Sequence, residues 1–84
     1  MINKTVEQFV LENIEYTQEY SDIITSETLY TMFLDWCKKN KQRNLSRCCF
    51  TQAAKKIVNS DYILIKTNKK VERGFRYIKK RTGV

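Results

Sequence analysis

The chain has 84 residues, 42% of them hydrophobic and 12% aromatic, which is enough for one small domain that buries only ~60 to 65% of its unfolded surface. Its net charge of +7 is polarised: residues 1–36 hold seven acids against Lys4, a net −6, whereas residues 37–84 hold fifteen Lys or Arg against Asp61 and Glu72, a net +13. A basic face of this kind attracts polyanions, nucleic acid above all, and a membrane role is disfavoured because no apolar run approaches the ~20 residues of a spanning helix and the N-terminus carries no signal-peptide pattern.

In chain order, Thr5 followed by Gln8 suggests a capping box, and Val6, Phe9, Val10 and Ile14 follow helical spacing. The spacing predicts a first helix over residues 5–16 with Glu7, Glu12 and Glu15 on its outer face. Residues 17–22 lack a period and read as a loop, and Ile23 and Ile24 as a very short strand. A second helix is expected from Thr25 or Ser26 to Lys39, with Leu29, Tyr30, Phe33, Trp36 and Cys37 as a core stripe; aromatic stripes at this spacing pack far more often than they bind ligands. Lys38 and Lys39 suit the negative end of its dipole. Residues 40–44 then form a basic turn holding Lys41 and Arg43.

Residues 45–59 predict a third helix capped by Ser46. Cys49, Phe50, Ala53, Ala54 and Ile57 fall on its inward side. Arg47, Thr51, Gln52, Lys55 and Lys56 fall on the other, with Cys48 and Asn59 at the margins. Cations there suit phosphates, and the amide and hydroxyl suit base edges. A polar helix face is most often only a solvated face, so the segment alone does not decide for DNA. Residues 62–66 are β-branched and aromatic enough for a strand. Residues 67–70 turn the chain, and 71–79 return as the partner strand, with Val71, Arg73, Phe75 and Tyr77 alternating against Glu72, Gly74, Arg76 and Ile78. Lys79, Lys80 and Arg81 are expected to begin a frayed basic tail.

Catalysis has little support. The chain contains no histidine, no identifiable carboxylate pair, and three cysteines without an imidazole base. Adjacent Cys48 and Cys49 make no disulfide framework, and zinc would lack both ligand type and spacing. The expectation is a reduced, cytoplasmic, non-enzymatic chain with no metal, cofactor, small-molecule substrate or membrane partner. Without repeats, Pro or a linker, residues 1–84 are expected to form a single domain.

Helix, short strand, helix, turn, helix, hairpin is the order of an α+β winged helix-turn-helix. In that arrangement the third helix enters the major groove and the hairpin wing reaches adjacent backbone or minor groove. The candidate DNA-binding residues are Lys41, Arg43, Arg47, Thr51, Gln52, Lys55, Lys56, Lys69, Lys70 and Arg73. The motifs Val6-Glu7-Gln8-Phe9, the stretch TSETLYTMFLDWC at 25–37, Asn44-Leu45-Ser46 with Phe50, and RGFRYIKKR at 73–81 carry a further signal. With them the sequence resembles the winged-helix domain at the C-terminus of poxvirus, phage and plasmid type primase-helicases, whose motor belongs to helicase superfamily 3. It implies DNA binding during replication initiation and helicase loading. The GxxxxGK[ST] phosphate loop is missing, so the chain is expected to be either an excised C-terminal domain or a free-standing relative, not the motor. Two alternatives stay open: a module docking a replication protein, and a free-standing transcriptional or anti-defence regulator.

Overall fold

A computed structural model describes residues 3–66 and 69–81 of the chain. Asn3, rather than Thr5, caps α1 (Lys4–Asn13), its Oδ1 accepting from the Val6 N–H at 3.1 Å. Gln8 completes no capping box and instead donates to Glu12 one turn on. The helix stops at Asn13, short of the expected residue 16, because Ile14 leaves it in extended backbone (φ −117°, ψ 137°). Asn13 turns its amide back onto the Phe9 carbonyl at 3.0 Å, the local side-chain bond that weakens a helix end. Residues Ile14–Tyr16 then form β1, paired antiparallel with β5 (Ile78–Lys80). The expected frayed tail is therefore a strand and its extension. Lys79 pairs with Glu15 at 3.9 Å, and Arg81 donates from its N–H to the Asn13 carbonyl at 2.8 Å and from its guanidinium to the Ile14 carbonyl at 3.2 Å.

The expected short strand is present as β2 (Ile23–Thr25) and leads into α2 (Ser26–Asn40). Thr25 is the N-cap, accepting from the Thr28 N–H at 3.2 Å. Leu29, Phe33, Trp36 and Cys37 are buried as the stripe predicts, and Tyr30 is half-buried. Burial also raises the Cys37 thiol pKa, since a thiolate there would lose its hydration. The helix ends through Lys41 in the left-handed region (φ 54°), which lets the Gln42 N–H donate to the Cys37 carbonyl at 2.9 Å. After the turn comes α3 (Arg47–Ile57), and Phe50 from it meets Phe9 and Phe33 at the centre of the core. Phe33 and Phe50 stack at 4.6 Å, Phe9 lies edge-on to Phe33 at 5.4 Å, and Phe9 and Trp36 are 5.8 Å apart. Such pairs each add about 0.5–1.5 kcal/mol beyond the area they bury.

The hairpin consists of β3 (Tyr62–Lys66) and β4 (Val71–Arg76), in register from Tyr62↔Phe75 to Lys66↔Val71. Part of its expected turn, residues 67 and 68, lies outside the described residues. β4 also pairs with β2, giving a three-stranded antiparallel sheet ordered β2-β4-β3. Among the described residues the result is an α+β fold of three helices with two antiparallel sheets.

The return strand is not continuous to residue 79 as the alternation predicts. It breaks at Tyr77, whose φ of 65° redirects the chain from β4 toward β1. A non-glycine residue there costs about 1–2 kcal/mol. The conformation is held by two backbone bonds of 2.8 Å, from the Tyr77 N–H to the Asp22 carbonyl and from the Thr17 N–H to the Tyr77 carbonyl. Ile78, expected on the face opposite Phe75, is thereby brought into the same core.

Gly74 is needed where β4 meets β2. A Cβ there would lie 2.7 Å from the Ile24 carbonyl oxygen and 2.8 Å from the Thr25 Cα, both backbone atoms. Gly74→Ala should therefore force the two strands apart and cost about 1–3 kcal/mol, the usual range for overpacking. A thermal melt checks this: the transition should fall by at least several degrees, and an unchanged melting temperature would show that β2 and β4 separate without penalty.

Candidate nucleic-acid interface

The start of α3 is fixed by two contacts. Its Ser46 cap accepts from the Cys49 N–H at 3.3 Å, and the Tyr30 hydroxyl donates to the Leu45 carbonyl at 2.7 Å, tying α2 to the turn that precedes the helix. Phe50 and Ala54 are buried, and Ala53 and Ile57 are half-buried. Cys49 is exposed, contrary to expectation. One residue is a rotation of ~100°, so seating Phe50 at the centre of the aromatic cluster turns its neighbour outward.

Facing the other flank of α3 are the hairpin and the first turn of α2, with an open cleft of ≈ 690 Å³ between them. Arg47, Cys48, Thr51, Gln52 and Lys55 line it from α3, Tyr62 and Lys70 to Arg73 from the hairpin, and Ser26 and Glu27 from α2. The structure thus gathers Arg47, Thr51, Gln52, Lys55, Lys70 and Arg73 of the expected site into one concavity. Lys41 and Arg43 on the turn, Lys56 on α3, and Lys69 beside the hairpin turn are exposed and do not line it.

Charge inside the cleft is more finely balanced than the sequence split suggests. Lys70 meets Glu72 at 3.1 Å and Glu27 at 3.5 Å, bridging the hairpin to the start of α2. The hydrogen bond that Lys70 donates to Glu72, followed by the attraction of Glu27, raises the Lys70 pKa, so this ammonium stays charged. Arg47, Lys55, Lys70 and Arg73 are therefore set against Glu27 and Glu72. Lys55 rests its ammonium 4.6 Å from the centroid of the Tyr62 ring, a cation–π contact that holds the side chain along the cleft wall. Gln52 donates to the Cys48 sulfur at 3.8 Å. Its amide is thus kept on the outer face, where an exposed hydrogen-bonding group can exchange a weak partner for a stronger one.

Sequence reasoning missed Glu27, Glu72 and Tyr62 as members of this cleft. Tyr62 was legible only as a strand residue, and Glu27 reaches Lys70 through tertiary pairing while Glu72 reaches it from two residues on, neither by helical spacing.

A family model described as poxvirus D5 protein-like matches residues 3–82. The chain belongs to this family. No curated protein matches the chain. The poxvirus D5 protein-like match is consistent with the C-terminal domain of a primase-helicase family, the resemblance drawn from the α1 motif, the TSETLYTMFLDWC stretch and the residues around β4 and β5. The family makes the chain a viral replication-associated domain. Among the described residues no helix is long and apolar enough to cross a membrane.

Proposed function

We propose that the chain is a winged-helix DNA-binding module of a viral or mobile-element replicative helicase-primase. In this reading α3 is the recognition helix and the β3–β4 hairpin is the wing. The observation that carries it is the shared cleft: the polar side of α3 and the hairpin converge on one concavity holding Arg47, Lys55, Lys70 and Arg73. Arg47, Lys55 and Arg73 take phosphates, with Lys41, Arg43, Lys56 and Lys69 as outlying phosphate contacts. Gln52 and Thr51 offer the groups that read base edges. The module itself is non-catalytic and uses no cofactor, and its partner is duplex or forked DNA at the viral replication site or in the host cytoplasm.

A second reading has its own observation. Leu64 and Val71 on the hairpin are 52% and 60% exposed, an apolar pair that suits docking of a replication protein better than contact with phosphate. Titration of duplex, forked and single-stranded DNA at two salt concentrations decides between the readings. DNA binding predicts measurable affinity at low salt that falls steeply at moderate salt; undetectable or salt-independent binding favours the docking reading.

The paired lysine gives a further expectation. Glu27→Gln removes one carboxylate from the cleft and releases part of the hold on Lys70, so affinity for DNA at low salt should rise by about two- to fivefold through reduced charge repulsion. A decrease in affinity would mean that the Glu27–Lys70 bridge positions the wing for binding rather than opposing the phosphates.

A further inference from the structure

We propose a second site, at the C-terminal end of α3, that takes a single unpaired nucleobase, with guanine preferred. Residues 16–18 after α1, residues 59–61 after α3, and Tyr77 line an open cleft of ≈ 700 Å³. That volume lies within the ~300–1,000 Å³ range of ordinary small-ligand sites. Its architecture is specific. The Tyr16 hydroxyl accepts from the Asn59 N–H at 3.1 Å, fastening the ring of a half-exposed tyrosine to the segment leaving α3. Tyr77 sits in the left-handed region at φ 65° and is braced edge-on by Tyr20 at 6.3 Å. Arg76 in turn lies 3.6 Å over the Tyr20 ring. Residues held in this backbone region gather at functional sites. Ser60 adds an unusual feature, a buried hydroxyl without a hydrogen-bond partner among the described residues.

The chemistry of this lining selects the ligand. Two tyrosine rings offer flat faces on which a base can stack, a contact that every base can make. The Asp61 carboxylate repels phosphate, so the part of a nucleic acid that enters is the neutral base. A carboxylate also accepts two adjacent donors at once. Guanine presents two on its pairing edge, the ring N–H and the exocyclic amine, whereas adenine and cytosine present one amine and thymine a single ring N–H between two carbonyls. Asn59 and Gln18 supply the complementary groups for the rest of the base, as when unstacked bases are read on their pairing edges. A net charge of +7 favours delivery of that base by a polyanionic strand over a cationic ligand, which the same rings would otherwise suit. The site is separate from the α3–hairpin cleft and draws on the nucleic-acid reading only for how the base arrives.

The test is an NMR titration of the isotope-labelled 84-residue chain with deoxyguanosine monophosphate, deoxythymidine monophosphate and inorganic phosphate, with duplex DNA added to a parallel sample. The proposal predicts saturable shifts at Asn59, Ser60 and Tyr77 with the guanine nucleotide. Binding should be on the order of tenfold weaker with the thymine nucleotide, as expected from the loss of one hydrogen bond to a charged acceptor. Inorganic phosphate should give no shifts there. Asp61→Asn should weaken the guanine response by a similar factor, and Tyr77→Gly, whose backbone suits a positive φ, should abolish it while leaving the fold intact. No saturable shift at residues 59–61, equal response to the two nucleotides, or an unchanged response in Asp61→Asn would overturn the proposal. The duplex sample reports separately on Arg47, Gln52 and Lys55, so failure of either site is seen independently of the other.

Discussion

Phe33→Ala should remove most of the chain's stability. Phe33 is 0% exposed and touches three rings of the core: Phe50 stacked at 4.6 Å, Phe9 edge-on at 5.4 Å and Trp36 at 6.4 Å. Deleting a phenyl group from such a site costs about 3–5 kcal/mol, the lost transfer energy plus the cavity left behind. A domain of this size holds roughly 5–10 kcal/mol in total. The loss should lower the melting temperature by ~15 °C or more or abolish a cooperative transition, as followed by circular dichroism. Trp36→Ala should be severe but milder, because Trp36 is 8% exposed and its indole N–H already reaches outward to Glu12 at 3.3 Å. That bond, after the stronger one from Gln8, helps hold the Glu12 pKa below the ordinary carboxylate value. If Phe33→Ala melted near wild type, the three helices would have to be held together by contacts other than the aromatic cluster.

The parts of this fold that were legible in the sequence are those written in local chemistry. Ser46 caps α3 as expected, and Thr25, one of the two residues at which α2 was expected to start, caps that helix, because a capping hydroxyl and the first helical turn lie within three residues of each other. The stripe of α2 was readable for the same reason, as helical spacing needs no knowledge of the rest of the chain. The start of α1 was misread because Asn3 and Thr5 are both competent near a helix start, and Asn3 captures the Val6 N–H. Its end was misread because Ile14, Glu15 and Tyr16 are compatible with either state, and their strand partners Lys80, Lys79 and Ile78 lie at the far end of the chain. That distant pairing also turned an expected basic tail into β5.

The candidate cleft was legible as a list of cations but not as a charge distribution. The split between acidic and basic halves leaves Glu72 as the wing's own carboxylate, whereas folding adds Glu27 of the acidic half, which meets Lys70 at 3.5 Å. The Tyr77 reversal had no local signal, since neither glycine nor asparagine marks it, and it is imposed by backbone bonds to Asp22 and Thr17.

Neutralising Arg47, Lys55 and Arg73 together should have the largest effect on DNA binding. They come from both walls of the cleft, and none of them has an ion pair among the described residues, in contrast to Lys70. Each phosphate contact contributes about 0.9 to the slope of log affinity against log salt on duplex DNA. If all three contact phosphate, the triple alanine variant should flatten that slope by roughly 2–3 and lose on the order of a hundredfold or more in affinity at low salt. Replacing Lys69 and Lys70 instead should change the slope by less, because Lys70 already exchanges its charge with Glu72 and Glu27. The decisive measurement is this slope for the wild type and for the Arg47, Lys55, Arg73 triple alanine variant, with folding verified by circular dichroism. A slope reduced by roughly 2–3 is the predicted result; an unchanged slope in a folded variant would contradict the assignment of the α3–hairpin cleft as the DNA interface.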